Sequence, residues 1–249
     1  RAWADFAQDT DVAADRDVNS VMVLVAGGPV IHQTDVYCAS LAASRTKLEA
    51  QPFATSFGKP VDSHLKPVSY FHDVCFAPFG PSGDGQLAGC YYMSGAMFNS
   101  LPEGAVQALA VAAASNPSKE AFLIVSMIGG KAADVPVGAT AYAQRGARFF
   151  VVIAAAWQPS GNAATYTKRR DACKAWVHET KAALQPYALG AYGQLAGNAS
   201  TYDEQTSHEY HTPGEGTYGW ASNLERLRAA KAKFDPQDLF VNTDHIKKA

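Results

Sequence analysis

The chain contains no apolar stretch approaching the roughly 18 residues needed to cross a bilayer. Its run from Ser20 to Gly28 is only strand-sized, so a soluble protein is expected. It also lacks any block of Lys or Arg: 21 basic residues stand against 23 acidic ones, a formal net charge of -2. That balance offers no electrostatic footprint for nucleic acid or an anionic membrane surface. The Lys168-Arg169-Arg170 cluster reads as a solvated helix face.

Several chemical signatures are missing as well. The 4 cysteines, Cys38, Cys75, Cys90 and Cys173, include no Cys-x-x-Cys pair, so a cysteine-built zinc site is not expected. Whether they pair or stay buried thiols is open at this stage. His208-Glu209-Tyr210-His211 places its histidines three apart, whereas a zincin helix needs them four apart on one face; no metal is expected. There is no Gly-x-Ser-x-Gly elbow for a serine nucleophile. The Gly-rich run from Gly80 to Gly85 lacks the Lys-Ser/Thr of a phosphate loop. Gly27-Gly28 and Gly129-Gly130 carry no dinucleotide fingerprint, and both pairs read as turns. The sequence begins at Arg1 without a Met or a signal peptide, which points to a processed or truncated chain.

What is present is ordinary globular material: 249 residues, 47% hydrophobic and 18% charged, enough for a substantial core in one or two domains. Trp3, Phe6 and Ala7 form a short helical stripe. Val18 to Ala26 and Val30 to Tyr37 read as neighbouring strands, followed by a helix near Ala39 to Glu49 with Leu41 and Leu48 a helical period apart. Gln51 to Tyr70 and Phe76 to Gln86 are Pro/Gly-punctuated loops suited to lining a cleft. Strands are expected over Gln86 to Met97, Ala121 to Met127 and Arg148 to Ala156. Pro102-Glu103 opens an alanine-rich helix to about Ala114. A second helix, about Ala164 to Leu184, carries a stripe of Cys173, Trp176, Val177 and Leu184. A final helix begins at a Ser222/Glu225 capping box, buries Leu224 and Leu227, and ends at Asp235-Pro236. Without strict βαβ alternation the fold class is α+β: an antiparallel sheet with helices on one face.

Tyr192 and Gln194 are two apart, so in a strand they share a face, and Gly193 between them permits close approach. On the residues alone this is a hydrogen-bonded Tyr/Gln pair; a phenol of lowered pKa can also take part in removing a proton from an alcohol. Gly190-Ala191-Tyr192-Gly193-Gln194, then Asn223-Leu224-Glu225-Arg226-Leu227 and Lys231-Ala232-Lys233-Phe234-Asp235-Pro236, follow in an order that resembles the C-terminal signature of the berberine-bridge-enzyme-like flavoprotein oxidases. Lys66 to Tyr70, Gly129-Gly130-Lys131, Thr140-Ala141-Tyr142 and Arg145 followed by Trp157 extend the likeness over most of the chain.

The resemblance implies an FAD-dependent oxidase acting on a small alcohol, a sugar hydroxyl in many relatives, with hydride passing to flavin and then to oxygen to give hydrogen peroxide. The family's N-terminal flavin-attachment region has no counterpart here. The implied partner is therefore an FAD-binding domain or chain, with cleavage from the same precursor one origin for it. Residues 1–189 correspond to a substrate-binding domain and residues 190–249 to a segment that returns to pack on the FAD domain. Tyr192 takes the family's hydroxyl-activating position and Gln194, replacing the usual Asn, the flavin-side amide. Asn223 and Arg226 read as structural, the first in the capped turn and the second tying the helix to a neighbouring group.

Phe71, Tyr91, Tyr92 and Tyr142 are aromatics available to stack on a sugar ring. Two departures favour an alternative, a non-catalytic binding or structural subunit. Leu195 replaces a second Tyr, and Val152 lies where some relatives carry a Gln or Glu close to the substrate. The sequon Asn198-Ala199-Ser200 leans toward a secreted or extracellular protein.

Overall fold

The computed structural model describes residues 1–9, 18–25, 31–37, 40–49, 67, 90–142, 144–191 and 223–239. Its centre is a six-stranded antiparallel sheet built from β1 (Val18–Val25), β2 (Ile31–Tyr37), β3 (Cys90–Phe98), β4 (Phe122–Met127), β5 (Phe149–Trp157) and β6 (Gly190–Ala191). The strand order is β2-β1-β4-β5-β3-β6. The α+β class expected from the sequence is what is found.

Alternation sets the first face of this sheet. Phe149, Val151, Ile153, Ala155 and Trp157 of β5 point one way and are all buried, and the register matches them to Phe98, Ala96, Ser94, Tyr92 and Cys90 of β3. Leu123, Val125 and Met127 of β4 join them. Helices cover this face. They are α1 (Ala2–Gln8), α3 (Glu103–Ala114) and α4 (Ala163–Leu184), with α2 (Leu41–Glu49) elsewhere in the chain.

The expected stripe on α4 buries as predicted, with Cys173, Trp176, Val177 and Leu184 all inside. The Trp176 indole donates to the Ala112 carbonyl at 2.9 Å and so joins α4 to α3. Asn162 caps α4 by accepting the Thr165 N–H at 2.9 Å. Desolvation pushes the Cys173 thiol up to about 11, so this cysteine is an inert hydrophobe. Cys90 and Cys173 are both free thiols; Cys38 and Cys75 lie outside the described residues. On α2, Leu41 is 46% exposed and forms no part of the core. Gly129 and Gly130 adopt φ of 139° and 52°, left-handed conformations that let the chain turn sharply after β4.

A buried polar chain ties α1 to the sheet. The Trp3 indole donates to the Ser20 Oγ at 2.7 Å, and Ser20 pairs across the strands with Asp35. Gln33 Nε2 donates to Asp35 Oδ2 at 2.7 Å. Burial raises the Asp35 carboxyl above its ordinary value, and hydrogen bonds from Ser20 and Gln33 only partly oppose that rise.

The final helix, α5 (Leu224–Phe234), is attached differently from expectation. Asn223 occupies the N-cap position but makes no side-chain capping bond. Its amide instead donates to the carbonyls of Val137 and Thr140, at 2.9 and 2.8 Å. Arg226 donates to the Gly138 carbonyl one turn later. The same loop is gripped from the other side by Arg145, which donates to the carbonyls of Ala132 and Tyr142 at 3.0 and 3.1 Å and to Thr140 Oγ1 at 2.5 Å. Its guanidinium also stacks 4.7 Å from the Tyr142 ring centroid.

Beyond this clamp α5 buries no residue, Leu224 and Leu227 being only half-covered. A tertiary clamp at Asn223, the N-cap residue, thus opens the helix; the Ser222 half of the expected capping box lies outside the described residues. Lys231 closes the far end on Asp235 and, at 2.8 Å, on Asp238, while Asp235 accepts the Leu239 N–H at 2.7 Å.

Two predictions follow from these polar contacts. A carboxyl whose folded value lies above its unfolded one binds its proton more tightly in the native state. Its contribution is complete below the ordinary value of 3.8 and is lost as pH rises through the folded value. Asp35→Asn is expected to stabilise the protein at pH 7 relative to wild type, with the advantage shrinking toward pH 3 in urea melts run in parallel. Asn223→Ala removes two hydrogen bonds to part-buried carbonyls and is expected to cost about 1–3 kcal/mol. Limited proteolysis would then cut between residues 130 and 145, and an uncut loop would contradict the clamp.

Candidate functional site

The sheet's second face, turned away from α1, α3 and α4, is also apolar. Its residues fall in rows fixed by the register. One row runs Val25, Phe122, Ala154, Met93; the next runs Val23, Ile124, Val152, Gly95; the third runs Val21, Ser126, Phe150, Met97, Gly190. Most of the larger side chains on this face are half-exposed, including Val21, Val23, Ile124, Phe150, Val152 and Met93. So continuous an apolar surface, partly open to solvent, marks a place for a ligand or a partner.

Gly95 sits in the middle row, opposite Val152. A Cβ there would lie 3.0 Å from Phe150 Cε2 and 3.2 Å from the Val151 carbonyl. The edge of the Phe150 ring therefore reaches over the glycine from the neighbouring strand. A side chain at this position would require the ring or the strand to give by a few tenths of an ångström. Tyr91, paired with Ala156 at the end of the same face, has its phenol pushed up by burial. It is a neutral group at physiological pH rather than a phenolate.

The sequence-predicted site residues distribute unevenly. Tyr192 and Gln194, the catalytic and flavin-side residues expected from the resemblance, lie outside the described residues, as do Leu195, Phe71 and the His208 to His211 run. The description stops at Ala191, which pairs with Ala96 beside Gly95. Val152 is where the resemblance put it, on β5, and it belongs to the second face.

Tyr92 corrects the expectation of a stacking aromatic. It is 2% exposed on the helix side of the sheet, with its hydroxyl 3.2 Å from His178 Nε2 and the Lys174 ammonium 5.6 Å from its ring. Strand parity separates Tyr91 from Tyr92, and nothing in the dipeptide itself says which faces the core. Tyr142 is engaged by Arg145.

The pair formed by Gly95 and Phe150 was not singled out from sequence, although a signal for its surroundings existed. The β5 run Phe149 to Trp157 is apolar at every position, and a strand without polar alternation is one covered on both faces. Among the described residues no group of His, Cys, Asp and Glu is placed to hold a metal. No described helix is long and apolar enough to cross a membrane.

Residues 212–247 match the family model described as berberine and berberine like. No curated protein matches the sequence. Among solved structures, berberine bridge enzyme from Eschscholzia californica aligns with 100% of this chain and 51% of its own length, at 15% identity and a TM-score of 0.72. The Bermuda grass isoallergen BG60, a pollen group 4 allergen, aligns at 20% identity over 100% of this chain and 51% of its own, with a TM-score of 0.70. A variant of Phl p 4 described as a glucose oxidase aligns at 16% identity over 99% and 52%, with a TM-score of 0.69. The chain thus spans about half the length of the solved structures it matches. The resemblance read from the residues stands on both the matched C-terminal segment and the architecture, which is that of the berberine-bridge-enzyme-like oxidases.

Proposed function

We propose that this chain is the substrate side of an FAD-dependent oxidase, acting on an alcohol whose hydroxyl is presented between the second face of the sheet and a flavin held by another domain or chain. The observation that carries the reading is that apolar face, ending at β6 one residue before Tyr192. Support for an oxidase comes from the relatives of the same fold, and support for a sugar hydroxyl as the first substrate to try comes from the glucose oxidase description of one of them.

The residues present fit one end of the cofactor only. A flat apolar sheet face suits a planar ring, with substrate between the two. Among the described residues, the glycine-rich turns after β4 carry no dinucleotide fingerprint, so the phosphates belong to the partner. When bound, FAD supplies the acceptor for the substrate's hydride and passes the electrons to oxygen, giving hydrogen peroxide.

This chain's part is to bind, orient and take the proton. Tyr192 accepts or relays the hydroxyl proton, Gln194 holds the substrate or flavin edge by its amide, and Val152 keeps water off the reacting carbon without offering a base. Residues 1–189 form the substrate-binding domain. Residues 190–249 form the returning segment, whose exposed Phe234 and Leu239, 76% and 70% accessible, are apolar contacts for the FAD domain. A secreted location is proposed with it, on the sequon at Asn198.

Val152 favours a second reading, a binding subunit that keeps the oxidase fold without the base. The two separate in the visible spectrum of the native assembly and its anaerobic titration with alcohols. Bound flavin bleached by an alcohol, with kcat lowered about 10²–10⁴-fold in Tyr192→Phe, is the expected result. Flavin that no alcohol reduces supports the silent subunit, and a preparation without flavin removes the oxidase reading altogether.

A further inference from the structure

Resting on the oxidase reading above only for its source of peroxide, we infer that Cys90 is a thiol oxidised by hydrogen peroxide, with Tyr166 and Trp157 placed to hold the oxygen of the cysteine sulfenate that forms.

Three side chains meet where β3, β5 and α4 come together. Cys90 opens β3 opposite Trp157 at the end of β5, and both are buried on the helix side of the sheet. The hydroxyl of Tyr166, near the start of α4, lies 3.7 Å from Cys90 Sγ. The Tyr166 phenol is raised above its ordinary value, first by its hydrogen bond with Cys90 and then by desolvation, while a hydrogen bond from Trp157 and the charge of Arg170 oppose the rise. Thiol and indole therefore converge on one phenol oxygen.

What this cluster is short of is an acceptor. Trp157 is 1% exposed and its indole N–H has no hydrogen-bond partner, an expensive arrangement for a buried donor. A thiol sulfur is only a weak acceptor for the phenol O–H. One oxygen added to Cys90 Sγ gives both donors a strong acceptor, and the nearby Arg170 guanidinium favours that oxygen in its ionised form.

The oxidation balances with peroxide alone. The sulfur attacks one peroxide oxygen, the S–O bond forms as the O–O bond breaks, and the second oxygen leaves with the thiol proton as water. Sulfur loses two electrons and peroxide gains them. Peroxide is the product of the proposed reaction, and Cys90 adjoins Tyr91 at the end of the face where that reaction is placed. Cys173 is the internal contrast. It is 1% exposed, sits 3.9 Å from the Ala156 carbonyl, and desolvation pushes its thiol up to about 11, so it keeps its proton. Cys90 lies instead against the half-buried Tyr166.

The test exposes the complete protein containing this chain to a few equivalents of added hydrogen peroxide, quenches it in denaturant with dimedone, and maps the cysteines by mass spectrometry. Cys90 should carry the sulfenate adduct in about tenfold or greater excess over Cys173, and Cys90→Ser should abolish it. Tyr166→Phe removes one hydroxyl from a half-buried side chain and should lower the trapped fraction about tenfold. Trp157→Phe should act in the same direction. A Cys90 disulfide that appears only after peroxide supports the site too, the sulfenic acid having condensed with a second thiol and released water.

Cys90 left unmodified by peroxide that oxidises free cysteine overturns the proposal, as does equal labelling of Cys90 and Cys173. A Tyr166→Phe protein that labels like wild type overturns the role of the two donors. Because the peroxide is added, a silent flavin would sink the oxidase reading without touching this result, and an unreactive Cys90 would leave the oxidase reading standing.

Discussion

The constraint on which the rest of this structure depends is that its central strands are apolar on both faces. β5 reads Phe149 to Trp157 without a charged or hydrogen-bonding side chain before the terminal indole. Its partners β3 and β4 place Met93, Met97, Phe122 and Ile124 on the side away from the helices. A sheet of this kind needs two layers. The helices α1, α3 and α4 supply one, with Trp3, Leu109, Trp176 and Leu184 packed into a single cluster with the strands. Under the proposed reading the substrate and a flavin domain supply the second, for a chain that spans about half the length of the solved structures it matches.

The polar contacts are concentrated where secondary structure alone cannot fix geometry. Asn223, 2% exposed, spends its amide donors on the carbonyls of Val137 and Thr140 rather than on its own helix. Arg145 holds the same loop through Thr140 and Ala132. Both are needed because this segment has only short 3₁₀ turns at Gly130–Ala132 and Val137–Ala139, which leave most of its carbonyls without regular partners. The clamp sets where α5 begins, while the body of α5 stays available for another surface.

The fold was legible in the sequence wherever one periodicity dominated. The α4 stripe of Cys173, Trp176, Val177 and Leu184 marks one face at helical spacing, and each of the four is buried. The Pro102-Glu103 start and the Gly129-Gly130 stop mark their elements through backbone preference alone. Less legible were features decided by tertiary partners. The engagement of Asn223 by the carbonyls of a loop more than 80 residues away has no local signature. Tyr91 and Tyr92 are chemically alike, and only the register of β3 on β5 assigns one to each face. Tyr192 and Gln194 were put forward on the family likeness alone, and both lie outside the described residues.

Proton accounting joins these levels. Removing hydride from an alcohol carbon requires the hydroxyl proton to leave in the same overall change, and an apolar floor cannot take it. Val152, Met93 and Phe150 have no basic atom, and burial pushes the Tyr91 phenol further above its ordinary value. Under the proposed alcohol oxidation the proton is instead taken by Tyr192, which follows in sequence the β6 residue Ala191 paired with Ala96. Separating an apolar floor from a polar edge suits this chemistry. In that reading the floor keeps water from the reacting carbon, while the edge can be tuned for proton transfer without placing a charge under the substrate.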